Sequence, residues 1–310
     1  MTLPGVEPPP ARQTITTEGQ DFMVAVPGAA GQVVRTGRGE DRAAVTGFEL
    51  GSAQLALIEV GFPAVAEAVG TSDAVILCTM LRTPPGGRWD GVPLAPGQTF
   101  VYPAGSTHHA RDPAGLRFAL SVLPAEVLES GTRSLGFNPD RAGDRHVVVG
   151  GDLPALCERF VDDDEFDVPA SLAQDHLVDA AIRTICGGPD ESNRRGGSRW
   201  QDGELIRASI AFLEHNGRWI VPMLTLCRHV HVSERRLQIA FGNLFGIGPN
   251  AYMRYRALQS VHQVLRDAEP DEVMVSEVAR RHDFRHLGRF AGFYSATYGE
   301  APSSTLRRRR

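Results

Sequence analysis

Apolar positions change their rhythm three times along the 310-residue chain. Between about 41 and 124 they form short runs, at 43–50, 54–60, 74–81, 98–102 and 116–123. Turn signals at Pro84-Pro85-Gly86-Gly87, Pro96-Gly97 and Pro103-Ala104-Gly105 separate them. Such runs predict strands, and many short strands in succession predict a sandwich or barrel over 21–124. From 125 to 186 the spacing turns helical, with three amphipathic stretches at 125–135, 153–160 and 171–185. Their apolar stripes fit either a dimer surface or packing against the barrel. The acidic run Asp162-Asp163-Asp164-Glu165 reads as a solvated loop or helix end. Residues 187–202, rich in Gly, Asn, Ser and Arg, read as a linker. Residues 1–20, rich in Pro, Thr and Gly, read as a loose arm.

Beyond 203 the pattern occurs twice. Leu226 and Cys227 return as Val278 and Ala279 at an offset of 52, and Leu237, Phe241, Phe245, Gly246 and Pro249 return as Phe290, Tyr294, Tyr298, Gly299 and Pro302 at an offset of 53. One residue is therefore inserted between the two sets, at a turn. A repeated unit of this length is a supersecondary motif. In the first copy a short helix is broken near Val230-His231-Val232, and Ser233 is placed to cap a second helix. Leu237, Phe241 and Phe245 recur every fourth residue and share its buried face. The unit is a helix-turn-helix, whose second helix enters the DNA major groove N-terminal residues first.

These residues resemble the AraC/XylS family of transcription regulators. The resemblance extends to 252–265 as the helix that links two helix-turn-helix units, and to the closing Phe290, Tyr294, Tyr298-Gly299-Glu300-Ala301-Pro302. It covers about the last third of the chain and implies a DNA-binding domain over 203–306. His231 and Asp283 stand where the family usually has glycine, which implies altered or strained turns. In the first unit, Ser233, Glu234, Arg235, Arg236 and Gln238 open the recognition helix. Arginine pairs with guanine and glutamine with adenine, so Arg235 and Gln238 are the expected base readers. The offset carries Arg235 to Gly288, Gln238 to Ala291 and Ile239 to Gly292, so the second helix is expected to read fewer bases. Arg285, His286 and Arg289 are then left to hold phosphate or to read near its N-terminus. Arg307 to Arg310 form a basic tail.

In the strand-rich half, Gly97, Pro103-Ala104-Gly105 and His108 resemble the second motif of cupins, with Asp112 where asparagine often stands. The upstream His-x-His and glutamate of metal-binding cupins are missing. His108 and His109, the histidines available before position 140, are adjacent and point to opposite faces of a strand, so no metal and no cofactor is expected. An apolar barrel that holds a small organic effector is the remaining reading, with Met80, Arg82, Trp89, Tyr102 and His108 as candidate pocket residues.

The whole chain is thus expected to be multidomain: an N-terminal all-β cupin-like barrel, a helical connector and a C-terminal all-α tandem helix-turn-helix. Charge supports the division. The net charge is −5, but the part from Glu204 onward counts +6 and the part before it −11, so the C-terminal part faces a polyanion. Cys78, Cys157, Cys186 and Cys227 are widely spaced and suit reduced thiols. No run approaches the roughly 20 apolar residues of a membrane span, and no secretory leader is apparent. A cytoplasmic, non-enzymatic regulator is expected, with double-stranded DNA and a small effector as partners, a second copy as a further candidate, and RNA polymerase if it activates. A cupin-type enzyme with a DNA-binding appendage is the alternative.

Overall fold

Seven consecutive buried residues, from Ala74 to Met80, run through the middle of the N-terminal half. A strand buried throughout must be covered on both faces, and the computed structural model provides both covers. It describes residues 10–18, 21–137, 146–162, 168–187 and 196–308. The strands are β1 (Arg12–Glu18), β2 (Ala29–Arg35), β3 (Arg42–Leu50), β4 (Ala53–Val60), β5 (Ala64–Gly70), β6 (Ala74–Arg82), β7 (Arg88–Trp89), β8 (Val92–Pro93), β9 (Gln98–Tyr102), β10 (Thr107–Asp112), β11 (Leu116–Pro124) and β12 (His146–Val149). They form two antiparallel sheets. The first has the order β1-β3-β4-β11-β6-β9-β12 and the second β2-β5-β10-β7-β8. The expected barrel is therefore two facing sheets rather than a closed ring.

Side chains alternate along these strands with period two. In β4, β6 and β11, Ala56, Ile58, Ile76, Cys78, Phe118 and Leu120 point into the space between the sheets. Their neighbours Leu55, Leu57, Leu77, Ala119 and Leu123 point outward. That outer face is covered by α1 (Ala125–Ser134), α2 (Leu153–Asp162) and α3 (Ala170–Gly187). Leu128, Phe160, Leu177, Ala181 and Ile185 bury against it. The connector's stripes thus pack on the first sheet. The connector also contributes β12, which pairs with β9.

Two further sequence expectations are corrected. Residues 12–18, placed in a loose arm, form edge strand β1 on β3, because the run Thr14-Ile15-Thr16-Thr17 is β-branched. Residues 196–202, placed in a linker, begin α4 (Gly196–His215). Residues 1–9 of the arm, 163–165 of the acidic run, 188–195 of the linker and 309–310 of the tail lie outside the described residues.

The C-terminal half continues with α5 (Met223–His229), α6 (Glu234–Phe245), α7 (Pro249–Asp267), α8 (Val275–Arg281), α9 (Leu287–Tyr298) and α10 (Pro302–Arg307). Pairs α5/α6 and α8/α9 are the two repeated units, and α7 joins them. Leu237, Phe241, Phe245 and Tyr252 fill the first core, with Phe245 and Tyr252 stacked at 5.5 Å. Phe290 and Tyr294 fill the second, where the Tyr294 hydroxyl meets His262 Nδ1 at 2.6 Å and Thr305 at 2.8 Å.

Both inter-helix turns take the form expected of a Schellman motif. Val232 N–H donates to the Cys227 carbonyl at 3.1 Å, and Phe284 N–H donates to the Ala279 carbonyl at 3.0 Å. Each turn needs a left-handed residue, and the chain supplies His231 (φ 54°) and Asp283 (φ 67°). An L side chain there costs on the order of 1 kcal/mol against glycine. His231→Gly is therefore expected to stabilise the protein by about 0.5–1 kcal/mol. Asp283→Gly should gain less, because it also removes the ion pair with Arg218. Urea denaturation of both variants checks this, and equal gains would be the wrong outcome.

Candidate functional site

Exposure selects one face of α6. Ser233 caps the helix, its hydroxyl accepting from Arg236 N–H at 3.3 Å. Glu234, Arg235, Gln238, Ile239 and Gly242 then face solvent from successive turns. Arg235 and Gln238, expected as base readers, lie together on this face. Gln238 leans toward the following turn, where a Cβ on Gly248 would meet its Oε1 at 2.6 Å.

Arg236 differs from its neighbours. Its guanidinium is paired with Asp202, which lies on α4 and is 1% exposed. Asn243 Nδ2 donates to the other Asp202 oxygen at 2.8 Å. One buried carboxylate thus grips two residues seven apart on the recognition helix and fixes α6 against α4. Asp202 fell in the supposed linker, and its distance in sequence hid the pairing. Ile239 was also not foreseen as a contact residue. It is 47% exposed, an apolar side chain on a polar face, and that break in pattern was the available signal.

In the second unit Arg285 and His286 are exposed just before α9, and Arg289 is exposed in its first turn. Gly288 and Gly292 lie on its open face beside half-buried Ala291. The two recognition helices thus present unequal faces. The N-terminal ends carry the cations, while the C-terminal ends are held by the second sheet.

That hold is built from equivalent positions. Gly246 (φ 64°) ends α6 and Gly299 (φ 78°) ends α9, both left-handed. A Cβ on Gly246 would meet Arg111 Nη1, and one on Gly299 would meet Arg38 Nε at 3.2 Å. Arg35 goes deeper. At 1% exposed, it donates through Nε to the Thr297 carbonyl at 3.1 Å and pairs with Asp41 at 2.5 Å. Its guanidinium lies 5.4 Å from the Tyr298 ring. Cations at helix C-termini meet the negative end of the helix dipole.

The opposite face of the same sheet lines a cavity of about 70 Å³ between the sheets. Trp89, Tyr102 and His108 meet on its wall. The Tyr102 hydroxyl lies 2.7 Å from His108 Nδ1 and 2.9 Å from Asp90 Oδ2, and the Trp89 ring contacts His108 edge-on at 4.4 Å. The other two candidates are not on the wall. Met80 is buried one alternation beyond Cys78, opposite Phe118, and Arg82 is exposed at the strand end. Asp112, not foreseen as a pocket residue, is on it. Its Oδ1 accepts from Trp89 Nε1 at 2.7 Å, and burial pushes its carboxyl up from 3.8 to about 6 against that bond and nearby His108. Among the described residues no cluster of three His, Cys, Asp or Glu has metal-binding geometry. Nor is any described helix long and apolar enough to cross a membrane.

Strand β10 separates cavity from recognition helix. His108, Ala110 and Asp112 face the cavity. His109, between them, is 3% exposed and packs its ring 5.8 Å from that of Phe245 in α6, and Arg111 reaches Gly246.

Two helix-turn-helix units joined by one helix, each with an open N-terminal face, define a DNA-binding domain. A family model described as a helix-turn-helix domain matches residues 226–308. The chain is 35% identical over 103 residues to a probable thc operon regulatory protein of Rhodococcus erythropolis, covering 33% of this chain and 31% of that one. It is 36% identical over 101 residues to XylDLEGF operon transcriptional activator 3 of Pseudomonas putida, covering 33% and 30%. The match spans about a third of the length of these relatives. A solved AraC-like transcriptional activator, CuxR, aligns over 81% of this chain and 96% of its own at 16% identity, with a TM-score of 0.41. The C-terminal third of this chain is a helix-turn-helix domain similar in sequence to part of these operon regulators.

The buried Asp112 gives a pH-dependent prediction. Its folded-state pKa is raised, so its contribution to stability falls as pH rises from 3.8 through about 6. Above that window the full penalty, at most about 3 kcal/mol, is present. Asp112→Asn is expected to be more stable near pH 7.5 by about 1–3 kcal/mol, with the advantage shrinking toward pH 4. Urea unfolding across this range checks it, and an advantage that grows toward acid would contradict the assignment.

Proposed function

We propose that this protein is a cytoplasmic, sequence-specific DNA-binding transcription regulator whose N-terminal double sheet binds a small organic effector, and that it acts by recognition rather than catalysis. One observation carries the reading: β10 has the cavity on one face and the first recognition helix on the other. A ligand that alters the fit of His108 or Asp112 bears on the strand that supports Phe245 and Gly246. Effector binding would then bias the orientation of the recognition helices, as a ligand biases any two-state element for which it has unequal affinity. Contact with RNA polymerase follows where the output is activation.

The first helix is the base reader in this proposal. Arg235 suits guanine, Gln238 suits adenine, and Ile239 suits the methyl group of thymine. The second helix, with Gly288, Ala291 and Gly292, holds phosphate through Arg285, His286 and Arg289. Arg236, held by Asp202, positions the helix.

DNA selected from a random pool by the full chain tests this. Retention on the selected sequence at excess competitor is expected, while weak and steeply salt-dependent retention alone would overturn sequence-specific regulation. Arg235→Ala and Gln238→Ala should each cost about 1–3 kcal/mol of discrimination at one base position and leave folding intact. Arg289→Ala should weaken all sequences alike and lower the salt slope by about 1. Arg236→Ala should cost about 2–4 kcal/mol of stability, because Asp202 is left buried without its cation. Equal losses of specificity from Arg235→Ala and Arg289→Ala would contradict the division between the helices.

A further inference from the structure

Three N–H and O–H side-chain donors of the cavity wall are already used. Trp89 Nε1–H donates to Asp112, the Tyr102 hydroxyl to Asp90, and the Ser106 hydroxyl to the Pro103 carbonyl at 2.6 Å. With Tyr102 donating to Asp90, the short contact with His108 requires Nδ1 to carry the proton and donate it to the phenol oxygen. In that tautomer the other ring nitrogen of His108 is an acceptor. Asp112 is 5% exposed, and the bond from Trp89 engages one of its two oxygens. The wall therefore offers acceptor capacity from Asp112 and His108, and among the described residues no arginine lines it.

A buried acceptor without a donor is costly, so such a wall favours a ligand that brings one. A ligand carboxylate would instead set a second anion beside Asp112 with no arginine to offset either, an arrangement that favours keeping one carboxyl protonated. Size narrows the body. The cavity of about 70 Å³ is about half the roughly 150 Å³ of an engineered apolar cavity that binds benzene, so the body of the ligand is limited to about two or three carbons.

We infer that the cavity takes a small apolar alcohol or amine whose hydroxyl or ammonium group donates to Asp112, and that it discriminates against a carboxylate on the same carbon skeleton. The inference rests on the reading of the cavity as the effector site and names the ligand chemistry of that site.

Titration of the full chain with ethanol, ethylammonium and acetate, followed by the indole N–H resonance of Trp89, tests it. The alcohol and the ammonium are expected to bind at least about tenfold more tightly than the carboxylate. Asp112→Asn keeps an oxygen for Trp89 and turns an amide N–H into the cavity. It should therefore lose affinity for ethylammonium and gain it for acetate. Tight binding of acetate to the unaltered chain, or an unchanged order in Asp112→Asn, would overturn the ligand class while leaving an effector cavity in place. No perturbation of the Trp89 resonance by any of the three would overturn the cavity as an effector site as well.

Discussion

The structure depends on a sheet buried on both faces by different things. The second sheet gives its inner face to the cavity and its outer face to the DNA-binding domain, and the two outer faces of the sandwich are unlike. On the first sheet, Leu55, Leu57 and Leu77 meet Leu177, Ala181 and Ile185, an apolar seal with little to gain from water. On the second, Val34 and Val65 are apolar, but Gln32, Arg35, Glu67, His109 and Arg111 stand beside them. These polar groups meet partners across the boundary. Gln32 bonds Glu214, Gln259 Nε2 donates to the Val33 carbonyl at 3.0 Å, and Arg35 reaches the Thr297 carbonyl. Burial raises the Glu67 carboxyl above its ordinary range, with the nearby His109 opposing. A polar contact of this kind can part and be re-solvated at modest cost, as interfaces between domains commonly do. The leucine seal cannot, so the connector helices belong with the sandwich and the DNA-binding domain is the separable body.

The same asymmetry explains what could be read from sequence. The runs at 43–50, 54–60, 74–81, 98–102 and 116–123 all became strands of the first sheet, because a strand packed by apolar groups on both faces is a plain hydrophobic run. Strands β2 and β5 were not foreseen as strands, and β10 was foreseen only at His108-His109. Their inner positions are small, as with Ala66, Ala68 and Ala110, which make room for the cavity, and their outer positions are polar because they meet another domain. The tandem helix-turn-helix was legible in full, since its repeat is written in large buried residues and turn glycines. Asp202 gripping Arg236 and Asn243, and Asp112 beneath Trp89, were not legible: each joins residues that no periodic pattern links.

The two recognition helices are alike in fold and unlike in surface. Equivalent residues build their cores, Leu237 with Phe290 and Phe241 with Tyr294, and equivalent glycines end them. Equivalent surface positions diverge, Arg235 against Gly288 and Ile239 against Gly292. A small-residue face lets a helix approach a backbone closely without choosing among bases, whereas Arg235, Gln238 and Ile239 supply donors, an acceptor and an apolar contact that differ in their fit to each base pair. Under the proposed reading, one unit selects and the other anchors, and α7 keeps them in a fixed relation.

The attachments of these helices place the lever. Each is held at the C-terminal end, which faces the second sheet, and α6 is held near its N-terminal end as well, where Asp202 on α4 grips Arg236. Arg111 sits over Gly246, and Arg35 and Arg38 over Thr297 and Gly299. Substituting either glycine would disturb this twice over, by forcing a side chain into a left-handed backbone and by pushing the arginine away. The glycines that end the recognition helices are thus also the seats of the sheet's grip, and the repeat that made the domain readable is what gives the sheet two matched points of contact.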